Sequence, residues 1–178
     1  MRRAGQSRGY FAVGVEGISK PMNLGAILRT AHAFGASFVF TIDAHHEVRD
    51  VMRSDTSKTQ EHVPAYDWPS VDAMVLPKGC ALVGVELTPD AVDLPSFRHP
   101  PAAAYVLGRE RGSLTPALLA RCDHVVKIPT KFCVNVGLAA AITLYDRTLV
   151  MGGWPERPVR PGGPEIGAPD TWRRPSSR

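Results

Sequence analysis

The chain reads as a single α/β domain built on a mostly parallel sheet with helices on both faces. Five apolar runs, rich in residues that favour strands, alternate with stretches of helical spacing, and that alternation predicts parallel pairing. A length of 178 residues suits one domain able to bury most of its apolar surface. The stretch from Ala102 to Met151 repeats a grammar of strand, glycine loop, helix, strand, polar loop, helix. That order places two loops at the carboxyl ends of parallel strands, where α/β proteins build their sites.

The elements follow in order. Tyr10 to Val15 is a buried first strand. Gly17 to Lys20 is a loop, and Pro21-Met22-Asn23 leads into a helix with Asn23 as its N-cap and Gly35 as the residue that ends it. Leu24, Ile27, Leu28, Ala31 and Phe34 form one apolar stripe on this helix, and Arg29 sits off it. Ser37 to Ile42 is the second strand. Asp43 to Pro64 is polar and poorly periodic, and is expected to be a long loop with some helical turns.

Ser70 to Leu76, after Pro69, is expected to form a short helix ended by Pro77-Lys78-Gly79. Ala81 to Glu86 is the third strand, and Leu87 to Arg98 is loop with at most one turn. Ala102 to Leu107 is a strand ending at Gly108. Thr115-Pro116 starts a helix, since threonine caps well and proline fits a first turn that has no use for its N–H. His124 to Ile128 is the last strand. Val136 to Met151 is a helix apolar nearly all round, with Gly137 and three alanines that permit close backbone approach. Such a helix must be buried on several sides, and a homodimer through it is the expected way to do so.

Charge divides the chain into three parts. Residues 1–9 carry three arginines and no acid, and residues 152–178 carry five arginines against three acids. The body, 10–151, holds 13 basic and 14 acidic groups, so the net charge of +4 lies in the tails. Basic tails on a neutral body fit attraction to a polyanion such as RNA, or simple solubility. The Pro/Gly/Arg-rich tail from 152 has little to bury and is expected to be disordered or laid over a partner.

Composition excludes several classes. No apolar run is long enough to span a membrane, and Glu16 interrupts the apolar segment behind the basic start, which argues against a signal peptide. The expected compartment is the cytoplasm. Cys80, Cys122 and Cys133 are too scattered for a disulfide framework or a Cys-x-x-Cys metal site. Adjacent His45 and His46 converge poorly on one ion, so no metal is expected. There is no Gly-x-Gly-x-x-Gly, no Gly-Lys-Ser/Thr and no Gly-x-Ser-x-Gly.

Three pieces remain, in a fixed order. Asn23-Leu24-Gly25-Ala26-Ile27-Leu28-Arg29 opens the first helix, and Leu107-Gly108-Arg109-Glu110-Arg111-Gly112 follows a later strand. Ile128-Pro129 then precedes Cys133-Val134-Asn135-Val136. Together they resemble the three motifs of the SPOUT class of RNA methyltransferases, in particular the TrmH (SpoU) family of ribose 2′-O-methyltransferases. The resemblance runs from about Tyr10 to Met151 and leaves the tails outside.

The resemblance implies a parallel α/β domain whose C-terminal part is threaded into a trefoil knot, an exception to the rule against threaded connections. It also implies a dimer that binds S-adenosylmethionine in the knot and methylates RNA, with tRNA ahead of rRNA as substrate. Carried over by motif, the cofactor lies against Leu107, Gly108, Ile128, Val134, Asn135 and Leu138, with Val85 and Glu86 close by. Arg29 matches the catalytic arginine, reaching RNA bound near the partner subunit's cofactor, and Asn23, Glu110 and Asn135 match the polar residues around it. Two departures stand out. One residue separates Glu110 from Gly112 where the family often has two, and Cys133 stands where it often has serine. The rival readings are a non-catalytic RNA-binding protein with a knotted fold, and an α/β enzyme of another nucleotide cofactor.

Overall fold

The computed structural model describes residues 9–54, 63–109, 112–152 and 161–163. Seven strands form one sheet: β1 (Tyr10–Glu16), β2 (Phe38–Ile42), β3 (Ala65–Trp68), β4 (Ala81–Val85), β5 (Val92–Asp93), β6 (Ala102–Leu107) and β7 (His124–Lys127). Their order across the sheet is β3-β2-β1-β6-β4-β7-β5, and every pairing is parallel. The chain first builds outward from β1 through β2 to β3. It then crosses over, and β6 fills the place between β1 and β4.

The helices are α1 (Pro21–Phe34), α2 (His46–Ser54), α3 (Pro116–Leu119) and α4 (Val136–Met151). Alternation along β1 sends Phe11, Val13 and Val15 to one face of the sheet, where α1, α2 and α4 cover them through Leu24, Ile27, Val48, Ala140 and Leu144. The other face carries Ala12, Phe40, Ala104 and Val106, covered by Leu114 and Leu118 around α3 and by Met74. Close packing of α1 on α4 explains the small residues of the last helix: a Cβ on Gly137 would stand 2.9 Å from that of Ala26.

Most boundaries follow the sequence pattern. Gly35 ends α1 in the left-handed region at φ 68°, and the Thr115 side chain caps α3 by accepting the Leu118 N–H at 3.3 Å. Several expectations fail. Ser70 to Leu76 forms no helix; a turn brings Met74 down onto the second face instead. A seven-residue apolar segment behind a proline is too short to repay helix nucleation on its own. Asn23 is not the N-cap of α1: the helix starts earlier, with extended Lys20 as cap and Pro21 in its first turn. The polar stretch after Asp43 holds a nine-residue helix, α2, while residues 55–62 lie outside those described. Edge strands β3 and β5 were not foreseen.

At the amino ends of the strands a buried polar network ties α4 to the sheet. Arg147, 2% exposed, donates to the Pro100 carbonyl at 2.7 Å, the Pro101 carbonyl at 2.9 Å and the Tyr105 hydroxyl at 3.0 Å. Tyr105 Oη lies 2.6 Å from His99 Nδ1, and His99 Nε2 lies 2.9 Å from Asp146 Oδ2. A neutral ring carrying its proton on Nε2 fits this series, with the hydroxyl accepting from Arg147 and donating to Nδ1 while Nε2–H donates to the carboxylate. Burial accordingly lowers the pKa of His99, and burial pushes that of Tyr105 up to about 12.

Candidate active site

The opposite end of the sheet holds a cavity of about 240 Å³. Its walls come from the carboxyl ends of three neighbouring strands: Val85 and Glu86 at β4, Leu107 and Gly108 at β6, and Ile128 beyond β7. The first turns of α1 and α4 close it with Asn23, Val136 and Ala139, and the loop before α4 adds Cys133, Val134 and Asn135. The order of the sheet thus brings together three segments far apart in sequence, at the ends where α/β folds place ligands.

Most walls are aliphatic, with polar atoms at a few points. Glu86 extends along the floor; its Oε1 accepts the Leu87 N–H at 3.0 Å and its Oε2 accepts the Leu114 N–H at 2.8 Å. A Cβ on Gly108 would stand 2.8 Å from that carboxylate oxygen, so any side chain there would push the carboxylate out of its place beside the loop. Gly112 takes φ 146°, which also favours glycine. Arg109 extends from the same loop over Gly17 and reaches Asp43 Oδ2 at 3.4 Å.

The two asparagines meet. Asn135 caps α4 by accepting the Gly137 N–H at 2.9 Å, which orients its amide so that Nδ2 donates to Asn23 Oδ1 at 3.2 Å. Asn23 is only 8% exposed, in the first turn of α1. The pair latches the two cavity-lining helix starts together across 112 residues of chain.

Residues 10–145 match the model of the SpoU rRNA Methylase family. The chain belongs to that family. It is 29% identical over 146 residues to the tRNA (guanosine(18)-2'-O)-methyltransferase of Escherichia coli K12, covering 74% of this chain and 60% of that protein. It is 28% identical over 154 residues to the enzyme of the same name from Thermus thermophilus, covering 81% and 78%. Against the tRNA (guanosine(18)-2'-O)-methyltransferase TARBP1 of Mus musculus, 29% identity covers 74% of this chain but 9% of the relative. The chain therefore spans under two thirds of the mouse and Escherichia coli relatives. Among solved structures, the SpoU methyltransferase AviRb from Streptomyces viridochromogenes superposes with a TM-score of 0.67 at 25% identity, over 81% of this chain and 61% of that one.

Of the residues singled out in this SpoU-family sequence, Asn23, Val85, Glu86, Leu107, Gly108, Ile128, Val134 and Asn135 all line the cavity. Leu138 does not. It is 60% exposed on the outer side of α4, because positions one and two residues apart on a helix face different ways and Val136 and Ala139 take the inward face. Arg29 is exposed on α1 and also stands outside the lining. Glu110 lies outside the described residues. Sequence reasoning missed Lys20, Leu87 and Thr130 in the wall, and it missed Glu16, whose only signal was a lone acid at the end of an apolar strand. His45, His46 and Glu47 cluster within 4.8 Å at the exposed start of α2, away from the cavity.

Proposed function

We propose that this SpoU-family chain transfers a methyl group from S-adenosylmethionine to a ribose 2′-hydroxyl of RNA, with tRNA ahead of rRNA as the substrate. The observation that carries the proposal is the cavity: a family member's three motifs converge on one concave site. Its chemistry fits the cofactor. Aliphatic walls at Leu107, Ile128 and Val134 suit an adenine ring, and the glycine approach at Gly108 opens backbone groups to it. The Glu86 carboxylate adds negative charge where a cationic ligand is to be held. When bound, the cofactor supplies a methyl group made electrophilic by a positively charged sulfonium.

The chain's own residues then supply position and electrostatics. A ribose hydroxyl is a poor nucleophile, so it must be held in line and its proton's removal assisted. Arg29 orients the hydroxyl and its neighbouring phosphate through charged donors. Asn23 and Asn135 offer neutral donors and acceptors at the cavity edge, and Glu110 joins the catalytic set through its motif alone. Arg29's exposure outside its own cavity supports a site completed by a second copy. Leu138, Ile142 and Tyr145 support the same arrangement: spaced i, i+4, i+7, they form an exposed apolar stripe on α4 that a homodimer would cover. The family's trefoil knot, in which the cofactor would lie, belongs to this reading.

Among the described residues no helix is long and apolar enough to cross a membrane, and the cytoplasm is the proposed location. The basic tails 1–9 and 152–178 add phosphate affinity around the 10–151 domain; removing the second should flatten the salt dependence of RNA binding. The test is incubation with methyl-labelled S-adenosylmethionine and total RNA, followed by nucleoside analysis. A labelled 2′-O-methylnucleoside supports the proposal. Bound cofactor without incorporation into any RNA points to the RNA-binding rival.

A further inference from the structure

Glu16 is the last residue of a strand that is otherwise apolar, and it is 1% exposed. A carboxylate so placed must be compensated by hydrogen bonds. Both its oxygens are used on one residue: Oε2 accepts the Thr115 N–H at 2.8 Å, and Oε1 accepts the Thr115 hydroxyl at 2.6 Å. Next to it, Glu86 takes the Leu114 N–H. Carboxylates from β1 and β4 therefore grip two consecutive residues at the end of the loop that begins at Gly108. The loop's other end is held as well, by Arg109 lying over Gly17 and reaching Asp43.

Capping α3 does not require Glu16, since the Thr115 side chain already accepts the Leu118 N–H. Nor does Glu16 itself line the cavity, whereas Gly108, Arg109 and Gly112 do. We infer that Glu16 is a positioning residue for the cofactor: by fixing Thr115 it sets where Gly112, three residues earlier, stands in the wall of the cavity. The inference rests on the reading of that cavity as the S-adenosylmethionine site. Hydrogen bonding, not net charge, is what the geometry uses. A glutamine in the same place accepts the Thr115 N–H through its carbonyl and donates its amide to the Thr115 oxygen.

The test measures S-adenosylhomocysteine binding by calorimetry on the full chain, with near-ultraviolet circular dichroism to confirm folding. Glu16→Ala should weaken binding about tenfold, the loss of charge-assisted hydrogen bonds expressed through the loop. Glu16→Gln should stay within about threefold of the parent, because the bonds are kept. In turnover, KM for S-adenosylmethionine should rise with Glu16→Ala while KM for RNA stays unchanged. Parent protein that binds no S-adenosylhomocysteine would overturn the reading of the cavity, and this inference with it. A parent that binds, with Glu16→Ala binding equally well, would overturn the inference alone, as would an equal loss in Glu16→Gln. Should Glu16→Ala fail to fold, Glu16→Asp keeps the charge but withdraws the carboxylate from Thr115; about threefold weaker binding supports the assignment, and unchanged binding overturns it.

Discussion

At the carboxyl ends of the strands, Glu16 and Glu86 hold Thr115 and Leu114 beside a cavity that the starts of α1 and α4 also line. At the amino ends, Arg147, Tyr105, His99 and Asp146 are bonded in one continuous series that leaves α4 fastened to the chain before β6. Both ends bury polar groups. At one end they frame a cavity; at the other they close the structure. The difference predicts that substitutions at the first should remove function and spare stability, and substitutions at the second should do the reverse.

The largest effect is expected of Arg29, exposed on α1 outside the lining of its own cavity and proposed to serve that of a second copy. Arg29→Ala should lower methyl transfer by about 100-fold or more, as for loss of a transition-state electrostatic contact, with thermal stability intact and cofactor affinity within a few-fold. Activity equal to the parent would remove Arg29 from the site. At the closed end, Arg147→Ala removes three charge-assisted bonds from a buried site and should cost about 3 kcal/mol, a melting shift of about 6–12 °C. S-adenosylhomocysteine affinity should survive at temperatures where the variant is folded. Lost affinity with unchanged melting would break the comparison.

Asn135 sharpens it, because this residue does both jobs. Asn135→Ala should cost about 1 kcal/mol through the lost cap. It should also lower transfer about tenfold or more, a drop of about 1.4 kcal/mol or more in transition-state stabilisation. Chemical denaturation and turnover, measured on the same sample, separate the two. The smallest effect is that of His99. Its pKa is lowered by burial, so below the ordinary value of 6.5 the unfolded chain takes up a proton that the folded chain resists. Its contribution is complete above that pH and is lost as the pH falls through the folded value. The denaturation midpoint of the parent should therefore fall more between pH 8 and pH 5 than that of His99→Gln, whose amide does not titrate.

What was legible in the sequence was what local pattern controls. Four buried strands are nearly continuous apolar runs, and α1 and α4 carry helical spacing with Gly35 and Asn135 at their ends. What was not legible depends on partners distant in the chain. β3 is four residues with Tyr66 and Asp67 exposed, and it exists because β2 offers it an edge. Asn23 reads locally as a cap, yet its partner is Asn135. Glu16 reads as a break in an apolar run, and Arg147 as the polar side of a helix, until Thr115 and the Pro100–Pro101 carbonyls are brought to them. The candidate site was found through its motifs; its supports were not, because a motif names residues near a ligand and not those that hold them.

The central pairing of β1 with β6, Tyr10 beside Ala102, has a consequence for how the protein comes into being. Glu16 waits 99 residues for Thr115, and Asn23 waits 112 for Asn135. At a synthesis rate of roughly 5–20 residues per second, the first strand leaves the ribosome several seconds before either partner exists. β1, β2 and α1 can assemble early, but no intermediate of translation owns a complete cavity. A nascent chain stalled short of α4 would be partly folded and without a complete cavity, so the cavity arrives only once α4 has been made.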